Sequence, residues 1–319
     1  MARSTSRATL AILAFGVIWG AAYLWMKAAT EAMDRHLGDR SVVFGVAFYL
    51  VLRFGIGAMA LLLIPSARRG LGAGPVWFGG FWLGGLLTLA FMLQLVGLRG
   101  IDPAISAFLT SLYVVFTALL IRAHGRASGD PRLLVGVVLV SIGAAWIGGP
   151  PHLSFDLPEW LTIGGAFVFA VHIVATDVIT RRVPALPLTV SSLAWVTFLA
   201  AVVAIASMDG ETDAVLGLLA DGEFISVTLL SAVLATSVAI ALMNRWQKEL
   251  PPVRAAILYA LEPVWAALFA VVLGRADATK WLWIGGVCLI VGNLVATPAR
   301  GRERSRGRFD DPGASPAGG

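Results

Sequence analysis

The chain has 319 residues, 58% of them hydrophobic and 13% charged, with a net charge of +5. Soluble domains run at roughly 45–50% apolar and about 25% charged residues, so this composition excludes a water-soluble globular protein and leaves an integral membrane protein. A single cysteine, Cys288, excludes a disulfide framework and a cysteine metal cluster, and the basic residues lie between apolar runs, which fits membrane topology rather than nucleic-acid binding.

A helix needs about 20 apolar residues to cross about 30 Å of hydrocarbon. Ten runs meet that requirement, at 8–29, 42–64, 76–98, 103–123, 131–149, 160–180, 187–207, 224–245, 252–274 and 281–299. The first is too long for a signal-peptide core and carries Lys27 at its end, so it reads as a span. The alternating pattern of a barrel strand is missing, which makes helices the spanning elements. Beyond the tenth run, residues 300–319 alternate arginine with polar residues and end in proline, glycine and alanine. That composition predicts a disordered basic tail held near anionic lipid.

Loop charges predict the orientation. One set of loops and ends carries 17 basic residues, from Arg3 and Arg7 through Arg68, Arg126, Arg181 and Arg245 to the tail; the other carries 5, namely Arg35, Arg40, Arg99, Arg275 and Lys280. Both termini are therefore expected in the cytoplasm, with the chain in a bacterial inner membrane.

The chain also repeats itself. At an offset of 149 residues, Pro103–Trp146 aligns without a gap on Pro252–Val295, and 14 of the 44 pairs are identical. The matches include Gly136/Gly285, Gly143/Gly292 and Gly125-Arg126-Ala127 against Gly274-Arg275-Ala276. Each half holds five spans, an odd number, so the second copy enters the membrane upside down. The expected fold is an all-α membrane protein of ten transmembrane helices in two inverted five-helix repeats, 8–149 and 160–299, around a central cavity. Such repeats characterise secondary transporters.

Ionisable groups in a bilayer are costly and mark functional positions. Glu262 lies at the middle of span 9, followed at once by Pro263. Proline removes a backbone bond and frees a carbonyl, and a carboxyl beside that break is suited to a cation, a proton or an amine. Its partner in the repeat is Tyr113. Arg53, at the middle of span 2, is suited to a substrate carboxylate or to an ion pair with Glu262 at similar depth. His172 in span 6 is a proton relay or a packed polar residue. Lys27 either faces the cavity or snorkels to the surface. Asp177 is one turn from Arg181 and pairs with it. Trp19, Tyr23, Phe91, Trp195, Tyr259 and Trp265 are further wall residues. Gly16-x-x-x-Gly20 and Gly80-x-x-x-Gly84 permit close helix approach.

No H-E-x-x-H, G-x-S-x-G, P-loop or G-x-G-x-x-G motif occurs, and His36, His124, His152 and His172 are dispersed. Nothing points to an enzyme, a cofactor or a metal. The stretches Val17-Ile18-Trp19-Gly20, Leu52-Arg53-Phe54, Ser111-Leu112-Tyr113-Val114-Val115-Phe116 and Leu261-Glu262-Pro263-Val264-Trp265, with the glycine-spaced ends of spans 5 and 10, resemble the EamA family of the drug/metabolite transporter superfamily. The resemblance covers about residues 8–299. It implies a cavity lined by helices 1–4 and 6–9, with helices 5 and 10 set aside. Three positions depart from the family pattern: Arg126 and Arg275 stand where members commonly have glutamate, and Tyr113 where many have proline.

The expectation is a secondary transporter, an exporter of a small metabolite such as an amino acid, working by alternating access. An exporter of lipophilic drugs is the alternative cargo reading, and a scaffold or enzyme without transport the alternative class. Glu262, Arg53, Tyr113 and Trp19 are the expected cavity residues, with Tyr259, His172 and Lys27 behind them. The implied partners are a small-molecule substrate, the lipid bilayer and protons as a coupling ion; nucleic acid is not among them, and a homodimer is left open.

Overall fold

The computed structural model describes residues 2–38, 41–101, 103–123, 131–147, 155–210, 212–259, 261–274 and 277–296. The basic tail, Arg126 and Arg275 lie outside these residues. The described elements are helical: α1 (Ala2–Leu37), α2 (Val42–Leu62), the short α3 (Pro65–Arg68), α4 (Gly74–Gly100), α5 (Pro103–Ser111), α6 (Tyr113–Ala123), α7 (Pro131–Ile147), α8 (Leu157–Thr180) and α9 (Ala185–Ser207). They continue with α10 (Thr212–Ala220), α11 (Gly222–Leu230), a π-helical segment (Ser231–Val238), α12 (Ala239–Trp246), α13 (Pro252–Tyr259), α14 (Glu262–Val272) and α15 (Lys280–Ala296). Seven helical stretches are long and apolar enough to cross a membrane, and three shorter apolar helices lie at 134–143, 257–272 and 280–292.

Two interruptions stand at the same place in the 149-residue repeat. One falls at Leu112, between α5 and α6, and the other just before Glu262, between α13 and α14. The amide of Leu112 donates to the Leu109 carbonyl at 3.2 Å, and that of Leu261 to Leu258 at 3.3 Å, each a tightened turn. Pro263 accounts for the second, because it has no amide to donate and clashes with a preceding carbonyl; it sits in the first turn of α14, where proline is tolerated. The first has no proline. There Thr110 and Ser111 hydroxyls donate to the carbonyls of Ser106 and Ala107 at 2.8 and 2.9 Å, and such back-bonding bends helices.

Close packing rests on residues without bulk. Helix α7 lies against α15, where a Cβ added at Gly143 would meet the Gly285 carbonyl at 2.7 Å and the Leu289 amide at 2.6 Å. The converse holds at Gly292, which faces the Gly136 carbonyl at 3.0 Å and the Val140 amide at 2.9 Å. The two contacts are copies of each other at the 149-residue offset. Helix α4 packs on α8 and α9, and α2 on α9. Gly80 and Gly84 admit Ser191, Ser192 and Trp195 of α9, while Gly57 of α2 admits Ala232 and Thr236 of the π-helical segment. The outward faces are apolar, as Leu134, Val138, Trp283, Val287 and Leu294 illustrate.

One end of the bundle carries a charged cluster. Asp221 caps α11, its Oδ1 accepting the amides of Glu223 and Phe224 at 2.9 and 3.1 Å. Its Oδ2 accepts from Arg35 Nη2 at 3.0 Å and lies 3.1 Å from His36 Nε2, which ties the end of α1 to this corner. Arg35 also pairs with Glu223, and Arg99 at the end of α4 pairs with Asp34. The Phe224 amide first, then Arg35, hold the Asp221 carboxyl well below the usual aspartate range.

The folded state therefore binds the Asp221 proton less readily than the unfolded chain, so the contribution of this corner is complete above pH ~4 and is lost as pH falls below it. An acid titration of thermal unfolding in detergent should show this decline in the wild type, and Asp221→Asn should flatten it. Gly143→Val and Gly292→Val should each cost about 1–3 kcal/mol by overpacking. Gly286→Ala, whose Cβ would meet nothing within 4 Å, should be tolerated in the same assay.

Candidate functional site

The interruptions meet at an internal cavity. Its lining comes from Phe15 and Trp19 of α1, Leu87 of α4, Thr110 and Tyr113 beside the first break, and Tyr259 and Glu262 beside the second. Phe169, His172 and Ile173 of α8 and Ile240 and Met243 of α12 complete it. The volume is about 30 Å³, room for one or two waters, since a single water needs about 10–15 Å³ by this measure. No metabolite fits without movement of the walls.

Glu262 is 3% exposed and makes no hydrogen bond or ion pair among the described residues. Tyr113 and Tyr259 line the same cavity as its carboxyl. The Tyr113 hydroxyl is buried without a partner. Tyr259 donates to Gln247 Oε1 at 2.9 Å, and the Gln247 amide donates to the Ile173 carbonyl at 2.8 Å, so one fully buried glutamine links α13 to α8 on one side of the cavity. On another side Gln94 donates to Tyr23 Oη at 3.2 Å and to Thr110 Oγ1 at 3.0 Å.

The aromatic wall is held by its own contacts and by one carbonyl. Phe15 stacks on Trp19 with centroids 4.8 Å apart and meets Tyr259 at the same distance. Trp19 Nε1 donates to the Ala235 carbonyl at 2.8 Å. Ala235 belongs to the π-helical segment, whose wide turn is a common feature of functional sites. Helix α1 approaches the second break at Gly20, where an added Cβ would lie 2.4 Å from Trp265 Cβ and 3.0 Å from the Glu262 carbonyl.

Five of the seven residues singled out from the sequence (Glu262, Tyr113, Trp19, Tyr259 and His172) line this one cavity. Arg53 and Lys27 do not. Arg53 forms no ion pair with Glu262; its Nε donates to Thr236 Oγ1 at 2.9 Å and its guanidinium lies over Phe91. The two side chains point into different helix contacts. Lys27 is half-buried, about two turns of α1 beyond the cavity wall. Asp177 pairs with Arg181 at 2.7 Å, as the spacing predicts. Phe91, Tyr23, Trp195 and Trp265 stand behind the wall rather than in it. Phe15, Phe169, Gln94 and Gln247 were not legible as site residues. An uncharged amide in the middle of an apolar run, as at Gln94, is the signal that would have raised one of them.

Residues 157–297 match the profile of the EamA-like transporter family. An uncharacterized transporter of Archaeoglobus fulgidus is 24% identical over 293 residues, 91% of this chain and 85% of the relative. A crystal structure of a protein whose name states no function superposes with a TM-score of 0.69 at 20% identity, covering 92% of this chain and 96% of the other. The resemblance drawn from Leu261-Glu262-Pro263-Val264-Trp265 is thus met by the family match. Together with seven membrane-length apolar helices, it marks the chain as a multi-pass membrane protein.

Gly20→Val should push α1 off the Glu262–Trp265 turn. The expected loss is about 1–3 kcal/mol in thermal unfolding, whereas Gly16→Ala, with its nearest contact at 3.9 Å, should be nearly neutral.

Proposed function

We propose that this EamA-like membrane transporter is a secondary exporter of a small metabolite, an amino acid being the leading class, working by alternating access. The carrying observation is the buried carboxyl of Glu262, without a counter-charge among the described residues, at a helix break that faces the cavity. An ionised carboxylate in such surroundings needs a cation beside it, and a proton or the ammonium group of a cargo supplies one. Discontinuous helices around a midplane site are the usual way a transporter exposes polar backbone to its substrate.

The proposed frame is ten spans in two inverted halves, 8–149 and 160–299. It is supported by the matching breaks at Leu112 and Leu261 and by the reciprocal contacts of Gly143 and Gly292. In this reading the arginine-rich loops and both termini face the cytoplasm, in keeping with the charge count. A cavity of about 30 Å³ is then an occluded state. Tyr259–Gln247–Ile173 bars one side; opening requires that link to part. Glu262 carries the coupling proton, and Tyr113, Trp19, Tyr259 and His172 contact the cargo. The aromatic and aliphatic walls formed by Phe15, Trp19, Phe169, Leu87 and Ile240 also favour a second reading, a lipophilic drug as cargo.

Purified protein in proteoliposomes, screened against labelled amino acids and lipophilic cations under an imposed pH gradient, tests this. Saturable flux driven by the gradient is expected, and Glu262→Gln should lower it on the order of a hundredfold. Unchanged flux in that variant ends the proton-carrier role, and no flux of any compound ends the transport reading. Which class is carried separates the two cargo readings.

A further inference from the structure

Helix α2 presents Tyr49, Arg53 and Gly57 one turn apart, and Arg53 and Gly57 touch the π-helical segment through Thr236 and Ser237. Arg53 is 1% exposed and Tyr49 is fully buried. Arg53 Nε is taken by Thr236, but Nη1 has no partner. The Tyr49 hydroxyl stands beside the guanidinium and, among the described residues, has no other partner. On the facing helix the hydroxyls of Thr228 and Ser231 are buried and unpartnered as well. Ser231 precedes Thr236 by five residues, one turn of the π-helical segment.

No carboxylate among the described residues pairs with this cation. The rings of Phe91 and Phe54, with centroids 4.9 and 5.4 Å from Arg53 Cζ, are its compensation. Ring faces offset only part of the cost of burying a guanidinium. What these groups have in common is an unused donor, and an unused buried cation with hydroxyl donors is the chemistry of an anion site.

We propose that Arg53, with Tyr49 and the π-helical segment, forms a binding site for a small monovalent anion, separate from the Glu262 cavity. Two sources share that chemistry: an inorganic halide and the carboxylate of a cargo molecule. The halide form stands without the transport reading, while the carboxylate form rests on it. Phe91 is the partition between the two places. Its ring lies 5.4 Å from Phe169 and 5.8 Å from Trp19, both in the cavity wall, and 4.9 Å from Arg53 Cζ. A cargo with both an ammonium and a carboxylate group would reach both sites only if Phe91 turned aside.

The test is thermal unfolding of the purified full chain in detergent, titrated with sodium chloride and with sodium acetate against sodium methanesulfonate at constant ionic strength. A saturable rise in the midpoint is expected with at least one of the two smaller anions. Tyr49→Phe, which keeps the charge and the ring, should weaken that response about tenfold. Arg53→Lys, which keeps the charge without the fork, should weaken it similarly, and Arg53→Gln should abolish it. A response to chloride assigns the site to inorganic anions, and a response to acetate alone assigns it to carboxylates. No difference between the salts in the wild type overturns the proposal, as does a full response in Tyr49→Phe and Arg53→Gln. Glu262→Gln should keep the anion response even where it loses flux, so failure of this site and failure of the transport reading give different results.

Discussion

The backbone break before Glu262 is the constraint on which the rest of the structure depends. Inside an apolar bundle an interrupted helix leaves polar backbone groups that no water covers, and it survives only where other protein atoms close over it. Helix α1 does this at Gly20, which lies directly on the Glu262 carbonyl and Trp265. That approach fixes where α1 lies, and with it Phe15 and Trp19, the aromatic face of the cavity. Trp19 in turn bonds the Ala235 carbonyl of the π-helical segment, so the break in one helix and the widened turn in another are joined through a single indole.

Small residues do the same work elsewhere in the bundle. Without a hydrophobic drive between helices in lipid, association depends on close van der Waals approach. Gly143 and Gly292 bring α7 and α15 to backbone contact, Gly80 and Gly84 bring α4 to α9, and Gly57 brings α2 to the π-helical segment. The Gly57 contact lets Arg53 reach Thr236, and thereby turns the guanidinium away from Glu262. The two charges that sequence depth would pair are separated by the rotation of α2 about its axis.

Polar groups inside the bundle fall into two kinds. Gln247, Gln94 and Trp19 are bonded across helices and tie them together. Glu262, the Tyr113 hydroxyl and Arg53 Nη1 are left without such bonds. Satisfied groups rigidify and unsatisfied buried groups carry a cost.

Much of the fold was legible in the amino-acid sequence. Hydropathy is a local sum, so the apolar runs and their approximate ends follow from composition alone, and α2 starts at Val42 where the second run does. The repeat is also local information, and it locates the equivalence of Tyr113 and Glu262 before any coordinate is known. Pro263 announces its own break; the break at Leu112 does not, because back-bonding by Thr110 and Ser111 is one of several fates open to hydroxyls in a helix. What only the tertiary structure decided is azimuth. Position along the chain gives depth in the membrane, while the direction a side chain faces is set by which small residues let which helices touch. That is why Glu262, Tyr113, Trp19, Tyr259 and His172 meet at one cavity, while Arg53 lies against Phe91 instead.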